Sequence, residues 1–288
     1  MKRIDFLKKG LLGASALGIA GLIQSEEKVG SLAIEQVGFN HLPLEKNRIM
    51  NNTIIHRATT RGHADHGWLN THHTFSFAQY YNPERMNFGV LRVLNDDIVA
   101  EGKGFGTHPH DNMEIISIPL AGDLEHKDSM GNVQVIREND VQVMSAGSGI
   151  THSEYNRNSD KQVNFLQIWV FPNKRNVKPR YDQLSFPKAD RHNQLQQILS
   201  PNADDEGVWI HQDAWFYLGS FDSTFSSSYA LKKPGNGIYL FVLEGSIQMG
   251  DTVLNRRDGM GVWDTPSIQF QSLEKTEILV MEVPMQLA

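Results

Sequence analysis

The chain has 288 residues, 40% of them hydrophobic and 21% charged, which is enough apolar material for one large or two modest domains and excludes disorder as the main state. With 27 basic against 33 acidic residues the net charge is −6, which lacks the positive footprint of a nucleic-acid binder. There is no cysteine, so disulfides, thiolate metal sites and thiol nucleophiles are excluded together, and a metal would need histidine and carboxylate ligands.

Met1 to Lys9 carry Lys2, Arg3, Lys8 and Lys9 against Asp5, followed by an uncharged stretch from Gly10 to Ile23 and then Gln24 and Ser25. Charged, apolar and polar in that order is the pattern of an export signal, predicting removal of residues 1–25 and a periplasmic protein. As a helix the apolar stretch would reach about 21 Å, short of the ~30 Å hydrocarbon core, so no membrane association is expected once the signal is removed. The run Arg3-Ile4-Asp5-Phe6-Leu7-Lys8 resembles a twin-arginine signal with Ile4 in place of the second arginine, which leaves the export route open. The alternative is a leader retained on a cytoplasmic protein.

From Phe88 onward short apolar runs alternate with turn residues. Gly89 to Leu94 precedes Asn95-Asp96-Asp97, Glu114 to Leu120 precedes Ala121-Gly122, and Val133 to Ile136 precedes Glu138-Asn139-Asp140. This spacing predicts an all-β protein of sandwich or barrel type. The best helical candidate is the short stretch Gln194 to Leu199. Val163 to Phe171 reads as a further strand, and Pro172, Pro179 and Pro187 then mark a connector, giving domains at 45–172 and 207–288 around a connector at 173–206. The second half repeats the first: Ile115 to Gly122 aligns with Ile238 to Gly245, and Asn139-Asp140 with Arg257-Asp258.

Chemistry is concentrated in the first copy. His108-Pro109-His110 is followed by Glu114, and Gly147-Ser148-Gly149 leads into His152-Ser153-Glu154. Residues two apart on a strand point the same way, so each pair can present its side chains from one face, and two such pairs on facing strands make a four-ligand nitrogen and oxygen site. Such ligands suit Fe, Mn, Ni, Cu, Co or Zn. At the approximate offset between copies, Leu231, Lys233, Phe270 and Ser272 replace His108, His110, His152 and Glu154, so the second copy is expected to be structural, closing one face of the first and covering its strand edges.

Other residues have plainer readings. His56, His63, His66 and His73 are read as structural hydrogen-bonding groups, not a second metal site, and His126 either orients a ligand or is a satisfied strand histidine. Trp68, Phe75, Phe77 and Phe105 are read as packing residues, with an aromatic substrate wall as the alternative. Asp128 and Arg92 are read as surface or turn charges.

The wider text HRATTRGHADHGWLNTHHTFSF (56–77), GFGTHPHDNMEI (104–115), HKDSMGN (126–132) and VQVMSAGSGITHSEYN (141–156) resembles the pirin family, and within it the bacterial pirin-like quercetin 2,3-dioxygenases, from about Asn51 to Met285. The resemblance implies two cupin barrels of jelly-roll type, with one divalent metal, most often Fe(II), in the first. It assigns the ligands to His108, His110, His152 and Glu154, with Glu114 the weaker rival for the carboxylate. It also implies oxygen-dependent opening of a flavonol such as quercetin with release of carbon monoxide. From charge alone, Glu154 is read as the catalytic base, provided it lies within about 2.6 to 3.2 Å of the flavonol hydroxyl. The small-molecule partners would be a flavonol-like substrate and dioxygen, and a monomer is expected. The alternative is a non-catalytic, redox-responsive iron protein that acts through a protein partner. The departures are small: Asn139 stands where the family commonly has glycine, and His72 adds a histidine beside His73.

Overall fold

The computed structural model describes residues 52–287; the export signal read at Met1–Ser25 and the start of the first domain read at 45 lie outside the described residues. Among the described residues no helix is long and apolar enough to cross a membrane. The first half of the chain forms β1 (Thr53–His56), β2 (Gly62–Asp65), β3 (Leu69–His73), β4 (Leu91–Val99), β5 (Gly104–His110), β6 (Glu114–Ala121), β7 (Leu124–Asp128), β8 (Val133–Ile136), β9 (Asp140–Ser145), β10 (Ile150–Asn156) and β11 (Val163–Val170). The second half forms β12 (Arg180–Ser185), β13 (Gln194–Ser200), β14 (Val208–Trp209), β15 (Trp215–Phe221), β16 (Ser226–Ala230), β17 (Asn236–Glu244), β18 (Ser246–Met249), β19 (Thr252–Asn255), β20 (Gly259–Val262), β21 (Ser267–Ser272) and β22 (Thr276–Pro284).

These strands build two barrels of one design, each from a seven-stranded and a four-stranded sheet. The first barrel has the orders β12-β9-β6-β11-β4-β3-β2 and β5-β10-β7-β8; the second has β1-β20-β17-β22-β15-β13-β14 and β16-β21-β18-β19. The orders correspond, as the repeat in the sequence predicts, except at one end of the large sheets, where β2 pairs antiparallel with β3 and β14 pairs parallel with β13. The match extends to the backbone: Asn139 and Arg257, aligned at the turns before β9 and β20, both take the left-handed conformation, at φ 72° and 65°. Asparagine tolerates that region better than most residues, so Asn139 can hold this turn.

The leading strands are exchanged. β1 precedes the first barrel yet pairs with β20 of the second, whereas β12 precedes the second barrel and pairs with β9 of the first. The stretch read as a connector at 173–206 therefore contains two sheet strands, and its helical candidate Gln194 to Leu199 is strand β13. Pairing with β15 overrides a periodicity too short to specify a helix. Asn95-Asp96-Asp97, read as a turn, instead runs through the middle of β4. Flanking strands β3 and β11 supply backbone partners at all three positions, which outweighs the local turn preference of these side chains.

The two seven-stranded sheets pack face to face. Leu94, Ile116, Ile118, Val143, Leu166 and Ile168 of the first meet Phe216, Leu218, Tyr239, Phe241, Leu279 and Met281 of the second in one apolar core. β6 and β17 are buried on both faces, which is why they read as nearly continuous apolar runs. The interior of the second barrel is filled by a further apolar cluster that includes Leu240, Val280 and Phe270. The first barrel has two small apolar clusters in its interior, one around Phe165 and one around Met144, and the remainder is polar.

Beside the inter-barrel core Asp96 is locked to the second barrel, with Arg257 Nε at 2.9 Å and Arg61 Nη1 at 3.5 Å from its Oδ2. Burial pushes this carboxyl up, but Arg257 and the Asn164 amide outweigh that and hold it below the usual carboxylate range. Removing one partner of a buried pair leaves the other charge uncompensated. Arg257→Met is expected to cost about 3 kcal/mol, read as a lower midpoint in urea; an unchanged midpoint would show that Arg61 alone suffices.

Candidate metal centre

β5 and β10 pair so that His152 stands opposite His108 and Ile150 opposite His110. The three imidazoles converge, with ring centroids 4.5 Å apart for His108 and His152 and 4.9 Å for the other two pairs. One nitrogen of each lies within 4.8 Å of the others. Local backbone features permit this. A Cβ on Gly104 would meet the carbonyl oxygen of Glu154 at 2.2 Å, so only glycine allows β5 to approach β10 at the bulge between His152 and Glu154. Gly147, at φ +49°, makes the turn into β10.

Hydrogen bonding sets which nitrogens are free. His108 Nδ1 lies 2.8 Å from the carbonyl oxygen of Gly106, which can only accept, so Nδ1 carries the proton and Nε2 keeps its lone pair. His126 Nε2 lies 3.2 Å from Asp128 Oδ2. That makes Nε2 the donor and leaves His126 Nδ1 to accept from His152 Nδ1 across 3.4 Å. His152 Nε2 is then a bare lone pair, and it is buried with no hydrogen-bond partner. Burial, followed by the neighbouring imidazoles, lowers His110 to about 4 and His152 to about 3, so both are neutral at pH 7 and open to a cation. Asp128, read from the sequence as a surface or turn charge, does sit at a turn, but its side chain is fully buried. Hydrogen bonds from Asn132, His126 and Met130 outweigh burial and hold it below the usual carboxylate range.

Glu154 alternates with Thr151 and Tyr155 so that its side chain enters the barrel with that of His152. Its carboxylate is held at both oxygens, Oε1 accepting from Ser117 Oγ at 2.9 Å and Oε2 from Gln167 Nε2 at 2.7 Å. Glu154 also forms a second cluster with His152 and His126, again within 4.8 Å. Glu114 is three residues from Ser117 on β6 and so faces the other side of the sheet. There it accepts from Ser145 Oγ at 2.7 Å, and burial pushes it up to about 7.

A cavity of about 520 Å³ opens beside His108 and Glu154. Phe77, Phe105 and Trp169 supply apolar wall, with His63, His66 and His73 beside them. Of the aromatic residues singled out from the sequence, Phe77 and Phe105 therefore border the cavity. Trp68 packs edge-on to Phe105 at 5.3 Å, and Phe75 is in the inter-barrel core. Trp169 packs edge-on to His110 at 4.9 Å; it, Gln167, Asn95 and Asp97 were not singled out. Nothing local distinguishes them, since they reach the cavity only through strand register. In the second barrel Phe270 is core and Lys233 pairs with Asp213.

The donor set suits a divalent transition metal: three converging imidazoles, an orphaned His152 Nε2, and the fixed Glu154 carboxylate, which groups with His152 and His126. Asp128→Asn or His126→Leu should weaken metal affinity about tenfold through loss of the oriented His152, measured by chelator competition with cobalt(II); unchanged affinity would make His126 a packing residue. Asp97 gives a pH test in metal-free protein. Burial raises it from 3.8 to about 7, so its favourable contribution is present below about pH 4 and lost as pH rises through about 7. Asp97→Asn should therefore gain most in melting temperature over the native chain above pH 7; an equal gain at pH 4 would contradict the assignment.

Residues 55–170 match the Pirin family model and residues 197–283 the model described as the quercetinase C-terminal cupin domain. A quercetin 2,3-dioxygenase of Escherichia coli is 39% identical over 80% of this chain and 98% of its own. A pirin-like protein of Caulobacter vibrioides is 40% identical over 77% and 95%. Among solved structures, the bacterial pirin YhhW of Escherichia coli in complex with nickel(II) superposes with a TM-score of 0.76 at 38% identity, covering 81% of this chain and 99% of that one. Two cupin barrels in this order, matched in sequence along both, mean that the chain belongs to the pirin family.

Proposed function

We propose that this chain is a metal-dependent dioxygenase that opens flavonol-like substrates, with His108, His110, His152 and Glu154 as ligands of an iron(II) ion and Glu154 as catalytic base. The observation that carries the reading is the convergence of three imidazoles, one of which, His152, also groups with the fixed Glu154 carboxylate, beside a cavity of about 520 Å³ lined by His108 and Glu154, a size typical of small-molecule sites. Relatives named as quercetin 2,3-dioxygenases support it.

A metal held there would supply Lewis acidity toward the adjacent hydroxyl and carbonyl oxygens of a flavonol, and a path for electrons from the deprotonated flavonol to dioxygen. The chain's own residues do the rest. Glu154 accepts the proton of the enolic hydroxyl, and Ser117 and Gln167 keep its carboxylate in place while the proton moves. Phe77, Phe105 and Trp169 give the planar rings apolar surface and limit water at the reacting carbon.

Oxygen uptake by purified protein loaded anaerobically with iron(II) is expected to match quercetin loss. His110→Ala should lose both metal and turnover, and Glu154→Gln should retain some metal while losing at least about 100-fold in rate, the scale of general-base catalysis. Full rate in Glu154→Gln would remove it as the base, and absent uptake with one iron per chain would overturn the dioxygenase reading.

A further inference from the structure

The inner face of the first barrel carries a polar row that crosses five strands. Register sets His73 opposite Asn95, Asn95 opposite Gln167, Gln167 opposite Ser117, and Ser117 opposite Gln142. The equivalent row in the second barrel is Gln197, Tyr217, Val280, Leu240 and Met260, mostly apolar and part of its core. Two residues along, Thr71 stands opposite Asp97 where the second barrel has Leu195 opposite Gly219. The same fold is thus built without these polar groups.

Ser117 and Gln167 are accounted for by Glu154. Asp97, Asn95, Thr71 and His73 are not, and all four border the cavity. Asp97 is 4% exposed, accepts from Thr71 Oγ1 at its Oδ1, and has no lysine or arginine ion pair among the described residues. Burial pushes it up to about 7, and the nearby Asp96 and Glu154 charges add to this. Asn95 Oδ1 lies 3.0 Å from His73 Nδ1, while its amide nitrogen makes no hydrogen bond among the described residues. A buried carboxyl without a cation is costly to keep, and at the corresponding position the second barrel carries Gly219 instead.

We propose that Asp97 and Asn95, braced by Thr71 and His73, form a second recognition pole of the cavity, which binds the hydroxylated pendant ring of a planar polyphenol whose ketol end lies at His108 and Glu154. This rests on the flavonol reading above. A carboxyl and a primary amide side by side offer both donors and acceptors to neighbouring phenolic hydroxyls, and Phe77 and Trp169, packed edge-on to each other at 5.4 Å, supply apolar wall in the same cavity. A ligand lacking those hydroxyls would leave the buried polar groups unpaired, which is the condition for strong discrimination.

The test titrates the metal-loaded protein, without oxygen, with quercetin and with the flavonol that differs only in lacking both pendant-ring hydroxyls, following quenching of tryptophan fluorescence. The native chain should bind quercetin at least about tenfold more tightly. Asp97→Leu should narrow the difference to within about twofold through loss of quercetin affinity alone, with metal content unchanged, and Asp97→Asn, which keeps a hydrogen-bonding group, should retain most of it. If Asp97→Leu does not fold, Asn95→Leu serves the same comparison. Equal binding of both flavonols by the native chain, or equal weakening of both in the variant, would overturn the pole and leave the flavonol reading standing. Failure of the native chain to bind either flavonol would overturn both.

Discussion

Face-to-face packing of the two seven-stranded sheets is what allows the first barrel to be polar inside. A barrel that buries histidines, carboxylates and amides forgoes the apolar interior that would ordinarily stabilise it. Here that loss is offset on the outer face of the same sheet, where Ile116, Ile118, Leu166 and Ile168 enter the core shared with the second barrel. Alternation along β11 divides the labour, with Leu166 and Ile168 packing outward and Gln167 pointing inward to hold Glu154. The second barrel, with an apolar cluster in its own interior, supplies the other face of that shared core.

Exchange of the leading strands reinforces this dependence. β1 and β12 each extend a seven-stranded sheet of the barrel to which their following strands do not belong. Each pairs with the outer strand of the other barrel's sheet and becomes the end strand of that sheet. Asp96 crosses the same interface to reach Arg257, one residue from Asp97 in the cavity wall. The interface and the site are therefore joined through β4, whose alternating side chains serve one and then the other.

Within the site, order is imposed from outside inward. Asp128, fixed by backbone and amide donors, orients His126; His126 orients His152; and His152 is left with one bare nitrogen aimed at the other imidazoles. Glu154 is fixed independently by Ser117 and Gln167. Side chains held in this way would lose little freedom on taking up a cation.

The all-β class, the duplication, and the His108/His110 and His152/Glu154 pairs were legible in the amino-acid sequence alone, because they depend on period-two alternation and on spacing between residues close together in the chain; the convergence of His108, His110 and His152 needed the register of β5 and β10. Local chemistry misled where pairing partners decide the conformation. Asn95-Asp96-Asp97 has the composition of a turn but forms the middle of β4, and Gln194 to Leu199 became a strand because β15 lies beside it. The exchange of β1 and β12, the burial of Asp128, and the arrival of Trp169, Gln167, Asn95 and Asp97 at one cavity were decided by tertiary structure. Each depends on which strands become neighbours and in what register, and a one-residue slip would turn every one of those side chains to the opposite face.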